Sequence, residues 1–199
     1  MSVRIIDVRA KKPTLGEALA FMRAGRSPDP EVVAAASRGI DLVYSVSRPR
    51  ACYVKCALEL LGGGKIRLGA LEFTSKSLEE RLSGCSEAYI FAATVGTEVD
   101  RIIRAESQRS GLSGLCADAA GSAAVESVCD AVNSEIIEIC KREGKLTRTR
   151  FSAGYGDMSL EYQREICELL DTKKHIGVAL GEGVMMMPTK SVTAIIGVY

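Results

Sequence analysis

The groups with chemical reach are seven cysteines, one histidine and a few turns where glycine meets a charged or aromatic side chain, in a chain of 199 residues without tryptophan. With His175 as the one imidazole, His-rich metal sites and most histidine-based triads are excluded. The cysteines (Cys52, Cys56, Cys85, Cys116, Cys129, Cys140 and Cys167) are odd in number, none forms a C-x-x-C pair, and most fall within apolar patterns. Reduced, buried thiols are therefore expected, since free cysteine behaves as a small hydrophobe. Cys52 and Cys56 would share one face of a helix, but two soft ligands without a second pair leave zinc short of its usual four. No metal site is expected.

Gly62-Gly63-Gly64-Lys65 invites comparison with a phosphate loop, which needs a strand before it, a helix after it and Ser or Thr following the lysine. Here the order is reversed, and the glycines read as a helix stop. The stretch from Thr94 to Thr97 is a better anion candidate, because backbone N–H groups at a helix N-terminus attract negative charge; ordinary capping by Thr97 and Asp100 competes with that reading. Met185-Met186-Met187, just before Pro188, reads as core filling or a bent strand edge. His175 reads as a cation at a helix C-terminus. Asp157 and Glu182 could serve an enzyme only with a second titratable partner that the sequence does not reveal.

The positioning elements follow from pattern. Asp29 and Pro30 suit the cap and first turn of a helix through EVVAAASRGIDLVYSVS, which Gly39 could end or bend. Arg50 to Leu61 places Val54, Leu58 and Leu61 on one helical face, with the glycine cluster as C-cap. A strand over Ile66 to Phe73, a surface helix over Leu78 to Ser83 and an apolar strand over Ala88 to Thr94 come next. From Leu115 to Arg142 small and apolar residues keep helical spacing, giving a central helix of about 40 Å that is thin at Gly121-Ser122-Ala123-Ala124. A helix over Leu160 to Leu170 and strands around GVAL and SVTAIIGVY complete the chain. Helices and strands do not alternate as a doubly wound sheet requires, so the expectation is a single α+β domain over residues 1–199, with a mostly antiparallel sheet around that helix.

Composition narrows the class. A hydrophobic content of 47% can fill a sizeable core, and 26 basic against 25 acidic residues leave a net charge near +1. No block of like charge favours nucleic acid or anionic lipid. The N-terminal stretch lacks a secretory h-region and no segment approaches the ~20 apolar residues of a membrane span, so a cytoplasmic protein is expected.

The most informative part is the last quarter. Arg150-Phe151-Ser152-Ala153-Gly154-Tyr155-Gly156 is followed by Glu168-Leu169-Leu170-Asp171, then Lys174 to Glu182, Met187-Pro188 and Ser191-Val192. In order and spacing these resemble the reactivation domain of cobalamin-dependent methionine synthase, with its Arg-x-x-x-Gly-Tyr turn, Leu-Leu-Asp helix end, Leu-x-Glu strand end and Pro-x-x-Ser-Val strand. The match spans about 50 residues, within 150–199. FAATVGTEVDR and the Ala-rich helix add a general likeness to short free-standing relatives.

That resemblance implies a domain that binds S-adenosylmethionine and offers it to a cobalamin carried by a partner protein after the cobalt has been oxidised to cob(II)alamin. An electron from a flavodoxin-type donor gives cob(I)alamin, which takes the methyl group. No catalytic acid or nucleophile is then required of this chain, which supplies binding and orientation. Carried over residue by residue, Arg150 offers a planar fork to the carboxylate of the methionine moiety. Ser152 and Gly154 belong to a loop whose backbone can approach adenine or ribose. Tyr155 could cover the adenine or face the sulfonium, a contact worth ~0.5 to 2 kcal/mol. Glu182 could balance positive charge.

On the residues alone, Arg150 is equally a solvated charge in the run RTR, and Gly-Tyr-Gly equally a turn with an aromatic plug. The chain also departs from the pattern. Gly156-Asp157-Met158-Ser159-Leu160 replaces a segment that in the family carries Cys, Pro, Asp and His, and a partner chain could complete the site. Two functions follow as expectations: an accessory protein supporting reductive remethylation on a separate corrinoid methionine synthase, or a non-enzymatic module that docks on a corrinoid protein of another methyltransferase system without binding S-adenosylmethionine.

Overall fold

The computed structural model describes residues 2–8, 10–25 and 27–199. One antiparallel sheet carries strands in the order β4 (Leu71–Thr74), β3 (Lys65–Leu68), β2 (Arg50–Gly62), β5 (Glu87–Thr94) and β8 (Ser191–Val198), and β1 (Arg4–Ile6) also pairs with β2. A separate hairpin joins β6 (Ala179–Leu180) to β7 (Met186–Met187). The helices are α1 (Leu15–Met22), α2 (Pro30–Val46), α3 (Lys76–Arg81), α4 (Thr97–Arg109), α5 (Gly111–Arg142), α6 (Gln163–Leu169) and α7 (Thr172–Ile176). This is an α+β fold with an antiparallel sheet and a long central helix.

Period-two alternation sends one set of side chains to each face of the sheet. Ala51, Tyr53, Tyr89, Phe91, Ala93, Ala194 and Ile196 pack toward α5 and its neighbours α1, α2 and α4. Cys52, Val54, Cys56, Ala88, Ile90, Ala92 and Ile195 pack with Leu78 of α3, Ile166 of α6 and Ile176 of α7. Each fully buried Ile or Phe contributes about 1.5–3 kcal/mol, so the double-sided core anchors β5 and β8 at the centre and edge of the sheet.

The long central helix runs over 32 residues, and its closest approaches fall outside the thin stretch expected at Gly121 to Ala124. A Cβ on Gly39 of α2 would lie 3.0 Å from the carbonyl carbon of Cys116, and one on Gly114 would lie 2.7 Å from Cα of Ser107 in α4. Gly39 does not end α2, which runs on to Val46; it lets α2 cross α5 backbone to backbone. At Gly121 the neighbour is the aliphatic stem of Lys190, 3.1 Å from the same construction.

Several expectations are corrected. Arg50 to Leu61 is not a helix: it is β2, the strand at the middle of the sheet, and Gly62 to Gly64 form the tight connection to β3. Cys52 and Cys56 therefore share a sheet face. Ile66 to Phe73 is two strands, β3 and β4, folded on each other with Leu68 opposite Leu71. The expected capping box of Thr97 and Asp100 does not form; Gly96 is the N-cap of α4 and no side chain caps it. Asp100 instead accepts from the backbone N–H and hydroxyl of Thr189 at 2.8 and 2.7 Å. The helix expected over Leu160 to Leu170 begins as a 3-10 turn, Leu160–Tyr162, before α6, and α7 follows at once. Among the described residues no helix is long and apolar enough to cross a membrane. All seven cysteines are free and six are buried, and no group of three or more metal-ligating side chains occurs among the described residues.

Candidate functional site

The site grows from the outer edge of β8. Leu146 and Tyr199 exchange both backbone hydrogen bonds, at 2.9 and 3.0 Å, the Arg148 N–H donates to Gly197 at 2.9 Å, and Phe151 and Ile195 exchange both at 2.9 and 2.7 Å. Between Arg148 and Phe151 the segment carries Thr149 and Arg150 opposite the single residue Ile196, so the edge bulges there. Such bulges re-aim side chains, and this one turns the Arg150 guanidinium toward α5. Nη2 lies 2.5 Å from Glu126 Oε2 and Nη1 lies 2.7 Å from Asp130 Oδ1, with the arginine side chain 28% exposed. Burial works against its charge, but the hydrogen bonds to Asp130 and Glu126 outweigh that and hold its pKa above the ordinary arginine value.

After Phe151 the chain leaves β8 in a tight loop. The Tyr155 N–H donates to Ser152 at 3.2 Å, the Gly154 N–H to Met158 at 2.9 Å and the Met158 N–H to Tyr155 at 3.0 Å. Gly156 (φ 55°) presses on α3: a Cβ there would lie 2.6 Å from Ser77 Oγ and 2.9 Å from its Cβ. Asp157 fixes the loop to the N-terminus of α3. Its Oδ1 accepts from Ser75 Oγ at 2.5 Å and the Ser77 N–H at 3.1 Å, and its Oδ2 from the Lys76 N–H at 2.8 Å. These bonds, the Ser75 hydroxyl first among them, hold its carboxyl far below the usual carboxylate range, which suits a structural anion and not a proton donor.

Where the loop departs, a cleft of about 460 Å³ opens, within the ~300–1,000 Å³ common for small-molecule sites. Arg150, Ser152 and Tyr155 line it together, with Glu126 from α5, Gln163 from α6, Met186 from β7, and Ser191, Val192 and Thr193 from β8. The Tyr155 side chain is 67% exposed at the mouth, with its ring centroid 6.4 Å from that of Phe151. Gly154 shapes the loop against Leu160 without lining the cleft. Glu182 is exposed on the 3-10 turn Glu182–Val184 and is not among the lining residues.

Two lining residues are buried polar groups. Gln163, 6% exposed, donates from Nε2 to the Val184 carbonyl at 2.6 Å, which ties the loop between β6 and β7 to α6. Thr193 is 2% exposed, and its Oγ1 is a buried side-chain oxygen without a hydrogen-bond partner. Ser191 beside it bonds to Thr94 Oγ1 and the Pro188 carbonyl, both at 2.8 Å. These bonds satisfy the Ser191 hydroxyl inside the protein.

With the geometry described, the comparison with solved structures is decisive for the fold. The chain superposes on a crystal structure of the MetH reactivation domain bound to AdoHcy with a TM-score of 0.71 at 16% identity, covering 99% of this chain and 78% of that one. The fold is that of the MetH reactivation domain. No family model matches the sequence, and no curated protein matches it. The two chains share this fold with little sequence in common.

Sequence reasoning named Arg150, Ser152 and Tyr155, which the structure brings to one cleft. It missed Glu126, Gln163 and Thr193. Glu126 lies on the long helix 24 residues before Arg150, and no local spacing links the two. Thr193 reads as an ordinary strand residue in SVTAIIGVY. Gln163 is one polar residue in a helix of mixed character.

The other motifs resolve as structure. The Thr94 hydroxyl accepts from the Gly96 N–H at 3.1 Å, an ordinary turn at the start of α4. Met186 packs on the core while Met185 and Met187 are exposed on the β6–β7 hairpin.

Proposed function

We propose that the chain binds S-adenosylmethionine in the cleft at Arg150 and supports reductive remethylation of cob(II)alamin carried by a separate corrinoid methionine synthase. One observation carries the reading: a cleft at the Arg-x-x-x-Gly-Tyr turn, lined by Arg150, Ser152 and Tyr155, in a chain with the fold of a domain solved with AdoHcy bound. The lining suits such a ligand. Arg150 keeps N–H groups beyond the two that reach Glu126 and Asp130 and can take a carboxylate. Glu126 next to it can accept from an α-ammonium, so the pair matches both ends of an amino-acid zwitterion. Tyr155 at the mouth presents an aromatic face to a sulfonium.

When bound, the ligand supplies a methyl group on a positively charged sulfur, and the electron comes from a flavodoxin-type donor. This chain's residues bind, orient and shield; Asp157 is committed to α3, and nothing in the cleft is required to move a proton. Titration calorimetry of the purified protein with S-adenosylmethionine tests the reading. Heat that Arg150→Ala removes supports it, and absence of heat, alone and with a cobalamin domain present, rules it out.

A second reading is favoured by one specific feature. The Arg150 fork is engaged by two carboxylates, as it would be in a module that docks on a corrinoid protein without holding S-adenosylmethionine. Capture of a cobalamin domain by a protein that gives no heat with S-adenosylmethionine would select it.

A further inference from the structure

We propose a second ligand site, separate from the cleft, in the pocket between β1, the middle of β2 and the C-terminal end of α5, and assign it a small monoanionic carboxylic acid. The pocket encloses about 210 Å³ and is lined by Arg4, Tyr53, Lys55, Tyr89, Ile139 and Glu143. It lies ~25 Å along α5 from Glu126, at ~1.5 Å per residue, and shares no lining residue with the cleft. A cavity of ~150 Å³ suffices for benzene, whereas sites for larger ligands begin near ~300 Å³. The pocket therefore suits a body little larger than one ring.

Two buried phenols point to a ligand. Tyr53 and Tyr89 are 6% and 2% exposed, with ring centroids 5.5 Å apart on the α5 face of the sheet. A buried tyrosine hydroxyl usually finds a hydrogen-bond partner, yet among the described residues neither of these has one. The one fully enclosed side-chain oxygen without a partner among those residues is Thr193 Oγ1. Both phenol oxygens therefore keep contact with open space, and the space that both residues line is this pocket. Burial holds the Tyr89 phenol above the ordinary tyrosine range, so it stays protonated and can donate.

The charges select an anion. Lys55 Nζ lies 2.8 Å from Glu143 and 3.2 Å from Glu87, and Lys145 pairs with the same two carboxylates. These four charges cancel. Arg4 stands opposite Tyr53 in the β1–β2 register, which puts the two side chains on one face, and it enters none of those pairs. One unmatched guanidinium and two hydroxyl donors thus converge above an apolar wall of Ile139 and the tyrosine rings. A carboxylate can take the arginine fork and accept from a phenol, while a phenyl or branched alkyl body rests on Ile139. An ammonium would face Arg4 and Lys55 instead.

The test uses the whole chain with benzoate, 4-methylpentanoate and the neutral isostere benzamide. The chain has six tyrosines and no tryptophan, so tyrosine fluorescence reports on the pocket directly. Both acids should give saturable changes, with benzoate at least about tenfold tighter than benzamide. Arg4→Gln should weaken benzoate by a similar factor. Tyr53→Phe and Tyr89→Phe should each weaken it several-fold while the free protein melts as wild type does, because the lost hydroxyl bonds nothing within the chain. Arg150→Ala should bind benzoate as wild type does, which distinguishes this pocket from the cleft. No saturable response to either acid, or equal affinity for benzoate and benzamide, overturns the proposal. So does loss of benzoate binding in Arg150→Ala, which would put the acid in the cleft, and so does a clear fall in melting temperature for either phenylalanine variant, which would reveal a partner for that hydroxyl inside the protein.

Discussion

The Asp157 carboxylate accepts the Ser75 hydroxyl at 2.5 Å and two further backbone N–H groups of α3, so one residue ties the loop that shapes the cleft to the helix beneath it. At the start of a helix a carboxylate is favoured by unpaired N–H groups and by the helix dipole. Its folded pKa is depressed, chiefly by the Ser75 hydroxyl, so its stabilising contribution is fully present above the unfolded value of about 4 and is lost as pH falls toward the folded one. Asp157→Ala should lower the stability at pH 7, and its deficit relative to wild type should shrink as pH drops below about 4. Urea titrations at several pH values measure this, and a deficit independent of pH in that range contradicts the assignment.

Arg150 is held by Glu126 and Asp130 at a half-buried surface, and pairs of that kind contribute about 0–1 kcal/mol. Arg150→Ala should therefore melt within a few degrees of wild type while losing S-adenosylmethionine binding. Asp130→Asn frees one arm of the fork and should tighten binding of the carboxylate-bearing S-adenosylhomocysteine without changing adenosine. Calorimetry beside a thermal melt separates the two effects.

Gly156 combines a left-handed backbone with a Ser77 contact that a Cβ would violate at 2.6 Å. Gly156→Ala should cost about 1–3 kcal/mol, read from chemical denaturation. Ala in place of Gly154, whose nearest neighbour is the tip of Leu160 at 3.2 Å, should cost less, because a flexible side chain can yield.

Gly39 sets the distance between α2 and α5, with the Cys116 carbonyl carbon 3.0 Å from a modest Cβ. Gly39→Val should force these helices apart at a cost of about 1–3 kcal/mol, seen as a lower denaturation midpoint.

Burial pushes the Cys52 and Cys129 thiols up to about 12, and the thiolate is the reactive form. Ellman's reagent at pH 8 should label at most Cys85, the one thiol that is not buried, until the protein is unfolded. Rapid native labelling of several thiols would contradict this packing.

The chain's own pattern was enough to specify the α+β class, the long central helix, the buried cysteines and the Asp29 cap on α2, because each depends on local spacing or on composition. The turn from Arg150 to Tyr155 was legible only through its resemblance to the Arg-x-x-x-Gly-Tyr turn of the reactivation domain, whose residues are neighbours in sequence; the bulge that aims Arg150 appears only once the segment pairs with β8. What tertiary structure alone decided concerns burial on two sides and contacts between distant segments. In β2, Cys52, Val54 and Cys56 are buried on one face while Ala51 and Tyr53 are buried on the other. The alternation that marks a half-exposed strand is thereby erased, and Val54, Leu58 and Leu61 mimic a helical stripe. The pairing of Arg150 with Glu126 and Asp130, and the unpartnered Thr193 hydroxyl beside them, depend on where α5 crosses the edge of the sheet. No spacing along the chain encodes that crossing; it is set by the packing of α5 on the sheet, where Val128 and Val132 join Phe91 and Ala194 in one buried cluster, and that packing exists only in the folded chain.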